Sequence, residues 1–176
     1  FSSKNLTALY MACFAGSLDM VEMLIYKGSQ VDLSNHIGVS PLMMAAFNDN
    51  HSCVESLLNN NANVNANNMN GETALHVCAH RDSFKSARVL INNGAELDPI
   101  SIDSGFTPLH FSCLNKKFLL LKFLVDSGAD LKIKDKKGNS AFHLSVIAGS
   151  FDVFRYMLLN SINNINDKNN DDETLL

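Results

Sequence analysis

A three-residue pattern, Ser or Thr followed by a small residue or Pro and then a large apolar residue, recurs along the whole chain. It appears as Thr7-Ala8-Leu9, Ser40-Pro41-Leu42, Thr73-Ala74-Leu75, Thr107-Pro108-Leu109, Ser140-Ala141-Phe142 and Thr174-Leu175-Leu176, at steps of 33, 33, 34, 33 and 34 residues. A fixed period of this size means that one small unit is built repeatedly and stacked, and that each unit gains its core from its neighbours. The period sets units at residues 1–33, 34–66, 67–99, 100–132 and 133–166, with a partial sixth at 167–176, all in a single domain over 1–176.

Turn residues keep the same phase. Gly38, Gly71, Gly105 and Gly138 stand two residues before their anchors, with Asn5 and Asp172 in that slot at the two ends. Gly, Asn and Asp tolerate the positive φ of a tight turn. A second turn signal follows each anchor by about twenty residues: Gly28-Ser29-Gln30-Val31-Asp32, Asn61-Ala62-Asn63-Val64-Asn65, Gly94-Ala95-Glu96-Leu97-Asp98 and Gly128-Ala129-Asp130-Leu131-Lys132. This pattern predicts a helix ending at Gly and then a short strand-like pair.

Two short helices are predicted between the turns. The first starts from a Ser/Thr N-cap, with Pro41 and Pro108 at its first position, and runs through small residues such as Ala45-Ala46. The second carries apolar residues at helical spacing, as in Leu18, Val21, Leu24 and Ile25, or Phe151, Phe154, Tyr156 and Leu158. Helices of this length are unstable alone in water, so stacking must supply their stability.

These phased motifs resemble the ankyrin repeat family. Thr73-Ala74-Leu75-His76, Thr107-Pro108-Leu109-His110 and Ser140-Ala141-Phe142-His143 are similar to its T-P-L-H signature, and Gly94-Ala95-Glu96-Leu97-Asp98 to its G-A-D-V-N segment. Tyr10 and Met43 replace the His in the first two repeats, Asp49 and Lys116 replace the Gly between helices, and single extra residues enlarge the hairpins after Asp98 and around Asn163. The resemblance implies an all-α solenoid with a β-hairpin-like loop per repeat. It also implies that the signature His bonds the helix start to the adjacent hairpin.

The function implied is non-catalytic recognition of a partner protein or peptide on a concave surface of hairpin tips and first-helix ends. Carried over slot by slot, the hairpins contribute His36, Ile37, Met69, Asn70, Asp103, Phe106, Lys136 and Lys137, with Asn139 beside them. The helix ends contribute Phe14, Phe47, Asn48, His80, Arg81 and Leu114. Alternative readings are the substrate-recruiting part of a larger enzyme and the cytosolic arm of a membrane protein. In the fourth repeat, Leu119 and Phe123 make the helix around Phe118-Leu124 apolar nearly all round, which predicts a convex contact there.

Charge is uneven along the chain. Residues 1–99 hold five Lys/Arg and nine Asp/Glu, a balance of -4, whereas residues 116–137 hold seven Lys and three Asp, a balance of +4. The fourth and fifth repeats are therefore expected to face an acidic segment of the partner. The overall charge of -4, and the absence of phased aromatic and Arg residues, argue against nucleic-acid binding.

No cofactor, metal or catalytic residue is expected. His76 and His80 share a helix, but no Glu follows His76 and no third ligand is indicated. Phosphate-loop, dinucleotide and nucleophile-elbow motifs are absent. Cys13, Cys53, Cys78 and Cys113 are widely spaced among apolar neighbours and read as buried free thiols. With no legible leader before Phe1, they predict an intracellular, cytoplasmic protein, the nucleus being also open to it. The longest apolar stretch, Phe118 to Val125, is too short for the roughly 18 residues a membrane span needs.

Overall fold

The computed structural model describes residues 6–160, 168–170 and 174. The turn residues Asn5 and Asp172, the enlarged hairpin around Asn163, and Leu175-Leu176 of the last anchor lie outside the described residues. By packing, the chain divides into two compact units, Phe1–Glu96 and Leu97–Leu176.

The first unit contains three helix pairs: α1 (Ala8–Ala15) with α2 (Leu18–Tyr26), α3 (Pro41–Phe47) with α4 (His51–Asn59), and α5 (Ala74–Arg81) with α6 (Phe84–Asn92). First helices stack on first helices, α1 on α3 and α3 on α5, and second on second, α2 on α4 and α4 on α6. Alanine makes the close approach possible: Ala12, Ala45, Ala46, Ala74 and Ala79 are all buried in first helices. Val21, Val54, Leu57 and Leu90 fill the layer of second helices.

The second unit repeats the arrangement with α7 (Pro108–Leu114), α8 (Phe118–Asp126), α9 (Ala141–Ile147) and α10 (Phe151–Asn160). Here α7 packs on α9 and α8 on α10, over buried Leu109, Cys113, Leu120, Leu121, Leu124 and Phe142. In α10 the buried stripe is Val153 and Met157; Phe151 is 71% exposed and Leu158 also faces solvent. The spacing of bulky residues alone therefore misplaces the inward face of this helix, which is set by the smaller Val and flexible Met lying against α8 and α9.

Among the described residues no extended strand forms in the loops. The expected strand-like pairs at Val31-Asp32, Val64-Asn65 and Leu131-Lys132 are turns, and pairing is confined to single bridges between Asn67 and Thr73 and between Lys134 and Ser140. Two residues are too few for a ladder, and side chains take over the backbone groups: Asn63 Oδ1 accepts from Asn65 N at 3.0 Å and Asp130 Oδ1 from Lys132 N at 2.8 Å.

The turn between paired helices needs a left-handed residue in every repeat. Gly16 and Gly149 supply it at the ends, and Asp49 (φ 55), Asp82 (φ 67) and Lys116 (φ 57) supply it between them. A non-Gly residue there costs roughly 1–2 kcal/mol. Asp49 is compensated, because its Oδ1 accepts a 2.8 Å hydrogen bond from Ser86 N one repeat on. Lys116 is exposed and carries no such side-chain bond. Lys116→Gly is thus expected to stabilise the protein by about 1 kcal/mol in denaturant titration, while Asp49→Gly gives no gain; equal gains at both sites would remove the role assigned to Asp49.

Candidate functional site

Three histidines fasten first helices to their own N-caps. Nδ1 of His76, His110 and His143 accepts from the backbone N–H of Thr73, Thr107 and Ser140 at 3.1, 3.1 and 3.2 Å. With Nδ1 accepting, the ring proton sits on Nε2, and for His110 this nitrogen lies 3.3 Å from the Asn139 carbonyl of the next hairpin. Where His is missing, the hydroxyl caps alone: Thr7 Oγ1 accepts from Tyr10 N and Ser40 Oγ from Met43 N. His76 is buried on its cap while His80 is exposed, so the two rings do not converge on a common ion. No group of three or more His, Cys, Asp or Glu placed to hold a metal occurs among the described residues.

Hairpin tips are shaped by a second phased set that the sequence reading did not single out. Asn35 Oδ1 accepts from Ile37 N and Val39 N, Asn68 Oδ1 from Asn70 N and Glu72 N, and Asp135 Oδ1 from Lys137 N and Asn139 N. In the enlarged fourth hairpin Ser101 Oγ takes the role by accepting from Phe106 N. The recurrence of Asn35 and Asn68 at 33 residues was the available signal. Neighbouring tips join through the main chain: Met69 N donates to Ile37 O, Lys136 N to Ser104 O and Asn170 N to Lys137 O, each at 3.0 Å.

The periodic turn carboxylates and amides also bridge repeats. Asp32 accepts from Asn63 N, Asn65 from Glu96 N and Asp98 from Asp130 N, at 2.9–3.2 Å. Burial raises the Asp98 carboxyl above its usual range, an effect partly offset by the Asp130 N–H.

Most of the expected recognition residues are open to solvent. His36, Ile37, Asn48, Met69, Asn70, His80 and Arg81 are exposed in the first unit, as is Phe14 at 43%; Asp103, Leu114, Lys136 and Lys137 are exposed in the second. Two aromatics sit deeper. Phe47 is half-buried under Arg81, whose guanidinium carbon is 4.2 Å from the ring centroid. Phe106 is half-buried, stacked on His110 at 5.7 Å and edge-on to Phe111 at 5.2 Å, so it braces its hairpin. Asn48 spends its amide on the Phe14 carbonyl at 2.7 Å. Asn139 is buried, its amide facing the Asp135 carboxylate, and does not belong to the open surface.

On the second helices of the second unit, Leu119 is 68% exposed. Phe123 is half-buried, and Phe118 packs edge-on to Tyr156 at 5.8 Å. Tyr156 donates to Asp126, which together with burial pushes its phenol up to about 12.

All four cysteines are free and buried. Burial, with a smaller contribution from Cys53, pushes the Cys13 thiol up to about 12. Burial likewise raises Cys53, Cys78 and Cys113. None is poised as a nucleophile, since the thiolate is the reactive form.

A stack of capped helix pairs joined by short hairpins, with its polar atoms spent on holding repeats together, defines a repeat protein of the helix-turn-helix class. The sequence matches the family of ankyrin repeats in three overlapping copies, over residues 9–101, 42–135 and 98–169, and the chain belongs to that family. Such repeats are generally protein-protein interaction modules and generally non-catalytic. The chain is 33% identical over 73 residues to the Target of rapamycin complex 2 subunit AVO2 of Saccharomyces cerevisiae, covering 39% of this chain and 17% of that protein. It is 36% identical over 62 residues to a putative ankyrin repeat protein of Rickettsia bellii, covering 35% and 9%. With the Notch-regulated ankyrin repeat-containing protein of Homo sapiens it shares 35% identity over 54 residues, covering 31% and 47%. The matched stretches thus span less than half the length of each relative. Among the described residues, no helix is long and apolar enough to cross a membrane.

Proposed function

We propose that this chain recognises a partner protein or peptide, without catalysis, on its hairpin tips and the exposed ends of its first helices. The observation that carries this reading is the contrast between the two halves of each repeat. The caps and turns are committed to holding the stack, whereas Phe14, Ile37, Met69 and Leu114 expose 39–68% of their surface with no intramolecular role to explain it. Apolar and aromatic side chains on a rigid scaffold are the raw material of interface hot spots.

In the second unit the tip residues Lys136 and Lys137 are exposed on a loop fixed by Asp135, and they suit an acidic segment of the partner. A second contact surface lies at Leu119, supported by its exposure on a helix that is apolar nearly all round.

A photo-crosslinking amino acid placed singly at Met69, Lys136, Leu119 and Glu55 tests both surfaces in cells expressing the protein. Partner adducts are expected from Met69 and Lys136, and from Leu119 if the convex contact exists. Adducts no more frequent there than at the exposed acidic position Glu55 would overturn the reading. Screening makes the acidic-segment contact salt-sensitive: adducts from Lys136 in lysate should fall as salt is raised, and those from Met69 should persist.

A further inference from the structure

Within the first unit, residues at the end of each first helix lean back onto the preceding repeat. Asn48 reaches the Phe14 carbonyl, and Arg81, one period later, lays its guanidinium on the Phe47 ring. The two positions are equivalent, but their chemistry differs. Asn48 consumes its donor on the scaffold, whereas Arg81 spends only the face of its guanidinium. The N–H donors around a stacked guanidinium point along its edge and stay available for a planar acceptor. Among the described residues Arg81 is exposed and forms no ion pair. The carboxylate of Asp49 is taken up by Ser86 N.

The surroundings favour an anion. Residues 81–88 contain Arg81, Lys85 and Arg88 against Asp82, three positive charges and one negative, in a region where residues 1–99 hold only five Lys/Arg in all. Stacking restricts a side chain that otherwise loses much rotamer freedom on binding, so less entropy remains to be lost when its edge is engaged.

We infer that the Arg81–Phe47 pair is a preorganised anchor for an acidic side chain of the partner, an Asp or Glu carboxylate held by paired N–H donors. This rests on the protein-recognition reading and adds to it a chemical requirement: a segment that docks on the first unit carries a carboxylate beside the apolar residues that meet Phe14 and Met69. The match is to carboxylate geometry, which a fork of two N–H groups satisfies and a lysine ammonium does not.

Selection of a random displayed peptide library on the whole chain tests this, with Phe14→Ala, Met69→Ala and Arg81→Ala chains as counter-targets. Arg81 is exposed, so unchanged melting is expected for its variants and checks that they remain folded. Peptides that depend on Phe14 or Met69 should carry Asp or Glu at a fixed position and weaken about tenfold on Arg81→Ala. Changing that acid to the amide should weaken them similarly, with little further loss when both changes are combined. Arg81→Lys should recover only part of the affinity.

Peptides that need Phe14 or Met69 but show no acid coupled to Arg81 would overturn the anchor and leave the recognition reading standing. Recovery of no peptide that depends on Phe14 or Met69 would overturn both. Synthetic versions with phosphoserine in place of the acid separate the two anion sources: markedly tighter binding of the phosphopeptide would reassign the anchor to a phosphoryl group and overturn the carboxylate assignment.

Discussion

Replacing His110 with Ala is expected to destabilise the second unit by about 3 kcal/mol, the combined cost of an orphaned buried donor and of a cavity. His110 is 1% exposed, accepts from Thr107 N at 3.1 Å, sits 2.8 Å from Thr107 Oγ1 and faces the Asn139 carbonyl at 3.3 Å. Its ring also stacks on Phe106. Truncation removes these contacts together and leaves a buried N–H without a partner. The protein contains its own control, because Met43 fills the equivalent slot of the second repeat at 1% exposure with only the Ser40 cap. His110→Met should therefore restore the packing and lose only the hydrogen bonds, about 1–2 kcal/mol. Hydrogen exchange of α7 and α9 amides, read with denaturant titration, separates the cases. A cost below about 0.5 kcal/mol for the Ala variant would show that the cap network does not stabilise the stack.

Alkali is expected to unfold this protein well before its lysines discharge. The sign follows from the thiols. Folded-state values are raised by burial, to about 12 for Cys13 and upward for Cys53, Cys78 and Cys113, while unfolded thiols ionise near the ordinary value of about 8.5. The folded chain keeps protons that the unfolded chain releases, so the stability contributed is full below about pH 8.5 and is lost as pH rises toward the folded values. Each thiol contributes about 1.4 kcal/mol per pH unit in that window, so four together contribute on the order of 5 kcal/mol per unit. Unfolding midpoints measured from pH 8 to 10 should fall steeply, and a variant with all four Cys changed to Ala should fall much less. Identical slopes would show that the thiols do not control alkaline stability. Below pH 8, alkylation of the native protein should be slow and should become fast in denaturant.

The period of Ser/Thr anchors and Gly turns carried the fold because each element it encodes is local: a cap, a left-handed turn, a short apolar stripe. Asp82 was not legible as a left-handed residue, since Asp is common on exposed surfaces and only the backbone shows φ 67. The α10 stripe was misread because Phe151 and Leu158 are bulkier than Val153 and Met157, yet their direction is set by the neighbouring helices rather than by their own hydrophobicity. The site was less legible than the fold. Nothing in the residue types Phe47 and Arg81 announces that one lies on the other, because 34 residues separate them and only stacking of repeats brings them together. Phe106 reads as an open aromatic in sequence and proves to brace its hairpin against His110 and Phe111.

The tip-to-tip bonds from Met69 N to Ile37 O and from Lys136 N to Ser104 O are made entirely by peptide groups, which every residue except proline can supply. The outermost side chains are thereby released from any duty to the scaffold. Mutation can reshuffle them at almost no cost to folding, and selection for a new partner can proceed at the tips while the capping histidines and Asn/Asp staples stay fixed. The architecture separates the letters that keep the protein folded from the letters that decide whom it meets.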